Sequence, residues 1–383
     1  MRFIGGLARP GFGAIAEFKR RSPSAGDIRP GADVAEIARS YERSGARAMS
    51  VLVDERFGGS WDDLRAARAA TSLPLLAKGF FSTPDDLRTA RDAGADAVLL
   101  LLRDLNDAAC AALLRTARTM GLDTLVEAHD AGEIDRAVAL DAHVIGVNAR
   151  DLGSFNIDRS TQLQLLARVP ADRIAIAESG IATRAQAAAA ELAGAGAILV
   201  GSTLMRAADP GAKLAELLSR PLVKVCGLTR QEDVDAAVEA GADMVGFILA
   251  AESPRRAHAV LDAPETVLRV AVFVGEAEET DADIVQLYER EDGHRARDAM
   301  LLRAGERVGT VVDLPWAESD PTHLDRARAT KGRVMLAGGL DARNVAAAVT
   351  AVRPWAVDSA RSTERSAGIK DHDALRDWVT AAR

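Results

Sequence analysis

Residues 15–24 read Ile-Ala-Glu-Phe-Lys-Arg-Arg-Ser-Pro-Ser, an apolar run ending in a carboxylate and an amine two positions apart, Glu17 and Lys19. In a strand that spacing puts both side chains on one face. If the face opens into a cavity, an acid and a base share one small volume, which is what proton transfer requires. Four more apolar runs finish in similar groups: Lys78 with Phe80, Glu127, Asn148 with Arg150, and Glu178-Ser179-Gly180. Another ends in Gly201-Ser202, where small residues with free amide N–H groups suit a phosphate. Taken singly, each has a plainer reading. Glu17 and Lys19 make a rim ion pair, Lys78 a strand end reaching for water, Arg150 a solvated charge and Phe80 core packing.

The elements that must position these groups are eight apolar runs between Ala14 and Arg220: AIAEFK, AMSVLVD, PLLAKGF, AVLLLL, DTLVEA, HVIGVNAR, RIAIAES and AILVGS. Amphipathic stretches such as Asp33–Gly45, Pro84–Gly94 and Thr183–Ala193 lie between them. Near-continuous apolar strands imply burial on both faces, hence a parallel sheet. Eight strand–helix pairs describe a closed (β/α)8 barrel, in which chemistry sits at the strand C-terminal ends. An open doubly wound sheet fits less well, because no Gly-x-Gly-x-x-Gly turn is present. The Ala-Gly-Ala segments around Gly94 and Gly194 read as helix ends leading into strands.

Length and composition bound the class. The 383 residues suggest two domains, and 48% apolar with only 4% aromatic residues suits a helix-rich α/β protein. A net charge of −8 with interspersed signs leaves no nucleic-acid footprint. Cys110 and Cys226 are too far apart in sequence for a disulfide framework or thiolate metal site. No run has the length of a membrane span and no signal pattern opens the chain, so the cytoplasm is the expected compartment.

The segments Glu17–Ser24, Ser50–Glu55, Lys78-Gly79-Phe80, Leu125-Val126-Glu127, Gly146–Leu152, Ala177–Ile181 and Val200-Gly201-Ser202 together resemble indole-3-glycerol phosphate synthase, in order and register across residues 14–220. The resemblance implies cyclisation, decarboxylation and dehydration of 1-(2-carboxyphenylamino)-1-deoxyribulose 5-phosphate, with no cofactor or metal. It makes Lys78 the general acid at the ketone and Glu127 the carboxylate that handles a proton during loss of water, with Lys19 and Glu17 nearby. Mutual attraction among these groups is expected to bring both protonation states within reach of neutral pH. Asn148 and Arg150 would hold the anthranilate part and sugar hydroxyls, with Phe80, Glu178 and Ser179 also on the substrate. Ser22, Gly180, Gly201 and Ser202 would take the phosphate. Two departures stand out. Only Met1 to Gly13 precede the first strand, where the family has a longer segment with a covering helix. Gly79 replaces a usual Asp, and is expected to loosen the orientation of Lys78 without removing it.

At Arg220-Pro221 the strand–helix pattern restarts, giving expected domains 1–220 and 221–383. Lys224–Arg230, Gly246-Phe247, Ser253-Pro254-Arg255, Ala271–Val274, Val285-Gln286-Leu287, Val312-Asp313, Leu336–Leu340 and Gly368–Asp371 resemble phosphoribosylanthranilate isomerase. That resemblance implies an Amadori rearrangement with Cys226 as base and Asp313 as acid. Arg255 would sit on the anthranilate carboxylate and Gly338-Gly339 at the phosphate. Positive surroundings would lower the Cys226 pKa. The half is short for its type, which normally exceeds about 200 residues. Seven strands are countable, and one helix and a loop are expected between Gln286 and Val311 in place of the fifth unit. The glycine-rich phosphate loop is replaced by Ala317–Pro321, a serine pair by Ala360-Arg361-Ser362, and a usual His by Tyr288. The reading is therefore a two-barrel α/β enzyme of tryptophan biosynthesis. Its alternatives are a synthase with a non-catalytic second domain and a related enzyme with a shifted sugar-phosphate substrate. The expected partners are small sugar-phosphate anthranilates, not nucleic acid or membrane, and a monomer suffices.

Overall fold

The computed structural model describes residues 2–22, 26–150, 156–291, 293–314 and 319–383. Pro23, Ser24, Asp151, Leu152, Ala317 and Glu318, which belong to motifs quoted above, lie outside these residues. The chain divides into two compact units, Met1–Ala182 with Ala190–Leu218, and Thr183–Ala189 with Ser219–Arg383. Among the described residues, no helix is long and apolar enough to cross a membrane.

The first unit is a closed, all-parallel barrel of β1 (Gly13–Phe18), β2 (Ala48–Leu52), β3 (Leu75–Lys78), β4 (Ala97–Leu101), β5 (Asp123–Ala128), β6 (Val144–Asn148), β7 (Ile174–Glu178) and β8 (Ala197–Val200). Each strand pairs with its sequence neighbours, and β1 closes on β8. Residues on both faces of most strands are buried, which is why the runs are apolar without alternation. The helices begin where the sequence supplies a cap. Asp33, Ser60, Thr83, Asn106, Asp130 and Asp158 each accept a first-turn N–H, a contact worth about 1 kcal/mol per helix. Gly94 at φ +96° follows the end of one helix and turns the chain towards β4, a conformation that penalises any Cβ. The short helix Arg2–Leu7 is tied to the opposite end of the barrel from the strand C-termini. Phe3 and Ile4 N–H both donate to Asp123 Oδ2 at 3.1 Å, at the start of β5.

The second unit closes with eight strands: β9 (Leu222–Val225), β10 (Met244–Ile248), β11 (Leu268–Val274), β12 (Ile284–Glu291), β13 (His294–Arg303), β14 (Glu306–Val312), β15 (Val334–Leu336) and β16 (Ala356–Ser359). The expectation of seven strands, with a helix between Gln286 and Val311, is corrected here. That stretch is a meander in which β13 runs antiparallel to both β12 and β14. A parallel neighbour needs a crossover of about a dozen residues, whereas an antiparallel one needs only a tight turn. Reversing one strand therefore keeps the barrel closed in a shorter chain. The Ala304-Gly305 turn has both residues at positive φ, +48° and +82°, as a two-residue hairpin demands. Full-length helices among the described residues are Gln231–Glu239, His323–Ala329, Val345–Val352 and His372–Ala382. They bury Val234, Leu336, Val345, Leu375 and Trp378 in one core.

Candidate active site

In the first barrel, Glu17, Lys19, Lys78, Glu127 and Glu178 converge from β1, the residue after it, β3, β5 and β7. Lys78 Nζ lies 2.8 Å from Glu178 Oε2 and 3.3 Å from Glu17 Oε2, and Lys19 Nζ lies 2.8 Å from Glu17 Oε1. Asn148 Nδ2 donates to Glu127 Oε1 at 3.0 Å, while the Arg150 N–H donates to Asn148 Oδ1 at 3.0 Å and so fixes the amide. Arg20, next to Lys19, points elsewhere. It makes a bidentate pair with Asp63, both bonds 2.8 Å, and pins the end of β1. Gln162 Nε2 donates to the carbonyls of Val147 and Glu178, tying the ends of β6 and β7 together.

The charges are set by burial against pairing. Burial would lower the Lys78 pKa, but the carboxylates of Glu178, Glu17 and Glu127 outweigh it and hold the ammonium charged. Burial would likewise raise Glu17, and Lys19 and Lys78 pull it below the usual carboxylate range. Glu127 is held low against burial by His129, Lys78 and Asn148. His129 stands 3.2 Å from Glu127 Oε1 and 3.1 Å from Glu133 Oε2. Burial disfavours its charge, but the two carboxylates win and push it up to about 10. Glu178 goes the other way. Burial, with repulsion from Glu127 and Glu17, overcomes Lys78 and raises it to about 8. Its Oε1 has no hydrogen-bond partner among the described residues. The expectation that Lys78 and Glu127 sit between protonation states near neutral pH is thus corrected; Glu178 is the group that does.

The small residues have two different jobs. A Cβ on Gly201 would stand 2.2 Å from Glu17 Oε1, and one on Gly146 would stand 2.1 Å from Glu178 Oε1. Both glycines therefore make room for buried carboxylates. Ser179 and Gly180 both have φ +69°, turning two successive amides at the end of β7. Ser202 opens the helix Ser202–Arg206, and Ser22 is buried in the two-stranded hairpin Arg21–Ser22 with Gly26–Asp27. Phe80 is exposed, with the Arg56 guanidinium 4.0 Å above its ring. Gly79 is buried; a Cβ there would meet Val53 Cγ2 at 3.0 Å and Phe81 Cζ at 3.3 Å. A carboxylate at this position would have to displace apolar packing, so the glycine suits its surroundings.

In the second barrel, Cys226, Arg255, Asp313, Gly338 and Gly339 line one cavity of about 910 Å³. A buried network joins its floor to Asp313. Lys224 Nζ is 3.0 Å from Asp358 Oδ2 and donates to Gln286 Oε1 at 2.7 Å. Gln286 Nε2 donates to the Tyr288 hydroxyl at 2.8 Å, and that hydroxyl donates to Asp313 Oδ2 at 2.9 Å. A Cβ on Gly246 would stand 2.8 Å from Cys226 Sγ, so the glycine makes room for the thiol. Burial pushes the Cys226 thiol up and Lys224 offsets this only in part, which overturns the expected lowering. Arg255 makes a bidentate pair with Glu364, with contacts of 2.8–2.9 Å. Gly338, at φ +83°, passes so close to Leu314 N that a Cβ would stand 2.3 Å away, whereas Gly339 at φ +67° is open. Arg361 lines the same cavity.

A family model described as indole-3-glycerol phosphate synthase matches residues 7–217, more than half of the chain. The chain belongs to the indole-3-glycerol phosphate synthase family. A synthase of Mycobacterium ulcerans is 45% identical over 214 residues, covering 56% of this chain and 79% of that protein. Synthase 2 of Streptomyces coelicolor is 46% identical over 217 residues, with 56% and 84% covered. A second model, N-(5'phosphoribosyl)anthranilate isomerase, matches residues 281–381. Solved isomerases of Thermotoga maritima and Thermus thermophilus are 26% and 28% identical, covering 43% and 42% of this chain and 98% of each, with TM-scores of 0.34. With the two family models together, the chain is a two-barrel enzyme of tryptophan biosynthesis, a carboxy-lyase with a C-terminal isomerase-family domain. His129, Arg295 and Asp358 escaped the sequence reading, and Lys224 and Tyr288 entered it without a role. His129 sits two residues after Glu127, just past the end of β5, and that spacing was the available signal. In the second barrel, Lys224 two residues before Cys226 and Tyr288 two residues after Gln286 carried the same signal, while Arg295 and Asp358 had none.

Proposed function

We propose that the first barrel of this synthase family member performs its chemistry with Lys78 as general acid and Glu127 as the proton-handling carboxylate. The observation that carries the reading is Lys78 held between Glu17 and Glu178 while remaining charged. As the anthranilate ring carbon attacks the ketone, Lys78 gives a proton to the developing alkoxide. Protonation of Glu178 removes one of the two carboxylates that grip that ammonium, which eases the transfer. Lys19, paired with Glu17, is placed to meet the substrate carboxylate before it leaves as carbon dioxide. Glu127, fixed by Asn148 and charged by His129, then moves the proton that loss of water requires. Asn148, Arg150, Phe80, Ser179 and the Ser22, Gly180, Gly201 and Ser202 group bind the rest of the substrate and its phosphate.

The boundary between the two activities falls at Arg220-Pro221. In the second barrel Cys226 acts as base at C2, Asp313 as acid at the ribose ring oxygen, Arg255 at the anthranilate carboxylate and Gly338-Gly339 at the phosphate. In this reading the enzyme works in the cytoplasm and as a monomer. The test is turnover of the carboxyphenylamino-ribulose phosphate by the full chain, followed by the absorbance of the indole product. Lys78→Ala and Glu127→Gln should each lower kcat by about two orders of magnitude or more, roughly 3 kcal/mol of barrier. Mild effects from both changes would remove this mechanism.

A further inference from the structure

Because β13 runs against its neighbours, its first residues, not its last, lie where Cys226 and Asp313 sit. Arg295 enters the cavity from there. Its Nη1 is 3.0 Å from Asp313 Oδ2, and its guanidinium lies 4.1 Å above the Tyr288 ring. Asp313 Oδ2 thus receives both Arg295 and the Tyr288 hydroxyl, while Oδ1 accepts the Leu314 N–H at 2.7 Å. Tyr288 is itself braced by Gln286, and Gln286 by Lys224. A planar cation fixed by stacking on one side and a charged hydrogen bond on the other has little freedom left. The carboxylate it grips is therefore held in one orientation.

We propose that Arg295, delivered by the reversed strand, is a positioning residue for the isomerisation, holding Asp313 aimed into the cavity. This rests on reading the second barrel as the isomerase with Asp313 as its acid. The antiparallel strand thereby does more than close the barrel: it brings a cation to the acid from an end of the strand that parallel topology would place at the far side.

The experiment uses the full chain and N-(5-phosphoribosyl)anthranilate, with wild type, C226A, R295M and R295K. Wild-type turnover that C226A abolishes secures the isomerase reading. R295M, which keeps a comparable apolar stem over Tyr288, should lose about tenfold in kcat with KM changed by less than about threefold, as expected for removal of one charged hydrogen bond. R295K should recover part of that loss. A kcat for R295M within about twofold of wild type overturns the proposal, since one such bond is worth more than that. A rise in KM alone also overturns it, as do equal losses in R295M and R295K with matching falls in unfolding temperature. A wild type without isomerase turnover sinks the isomerase reading itself, and this proposal with it.

Discussion

Glu17, Glu127 and Glu178 are all buried at the mouth of the first barrel, and the two lysines there cannot neutralise all three. His129 answers Glu127, but it is shared with Glu133. The surplus falls on Glu178, whose Oε1 has no partner among the described residues and whose pKa rises to about 8. The sign is that of a carboxyl neutral below that value and charged above it. In carboxyl 13C spectra of the full chain, one glutamate should titrate with a midpoint of about 8 and vanish in Glu178→Gln. If every glutamate instead titrated near its ordinary value of about 4.3, the charge balance described here would be wrong. The gathering of Glu17, Lys19, Lys78 and Glu127 was legible in the sequence because Glu17 and Lys19 are spaced for one face and all four fall at strand C-terminal ends, which a barrel brings together. Which of them titrates was not legible, since burial and three-body charge balance appear only in the fold.

At the level of strands, the glycines opposite the carboxylates are as specific as the carboxylates. Gly146 on β6 and Gly201 after β8 leave the volume that Glu178 and Glu17 occupy. Gly146→Ala and Gly201→Ala should each lower synthase kcat at least about tenfold and destabilise the chain by about 1–3 kcal/mol, the usual cost of overpacking. Isomerase turnover measured on the same preparations should stay at the wild-type level. Full synthase activity in both variants would mean the carboxylates have room to move, against the distances here. The sequence suggested phosphate contacts for Gly201 because glycines at that barrel position commonly make them, and a side chain arriving from another strand is invisible in the string. The reversed strand was missed for a different reason. The preceding units set a parallel pattern, and the contrary signal is the Asp292-Gly293 pair between two alternating runs, a residue pair that favours a hairpin.

Across the whole molecule, two closed barrels carry sets of groups suited to consecutive steps, since the isomerase product is the synthase substrate. The number of barrels was legible from the restart of the strand–helix pattern at Pro221, and their identities from motifs kept in order. How the second closes was not, because reversing one strand changes connectivity while leaving the apolar runs much as they were. The central claim, that one chain catalyses both steps from these two sites, is tested most directly by giving the purified full chain N-(5-phosphoribosyl)anthranilate alone and identifying the products. Wild type should yield indole-3-glycerol phosphate. Lys78→Ala should stop at the carboxyphenylamino-ribulose phosphate, and Cys226→Ala and Asp313→Asn should leave the starting compound unconsumed. A wild type that converts the carboxyphenylamino-ribulose phosphate but never consumes phosphoribosylanthranilate would contradict the account.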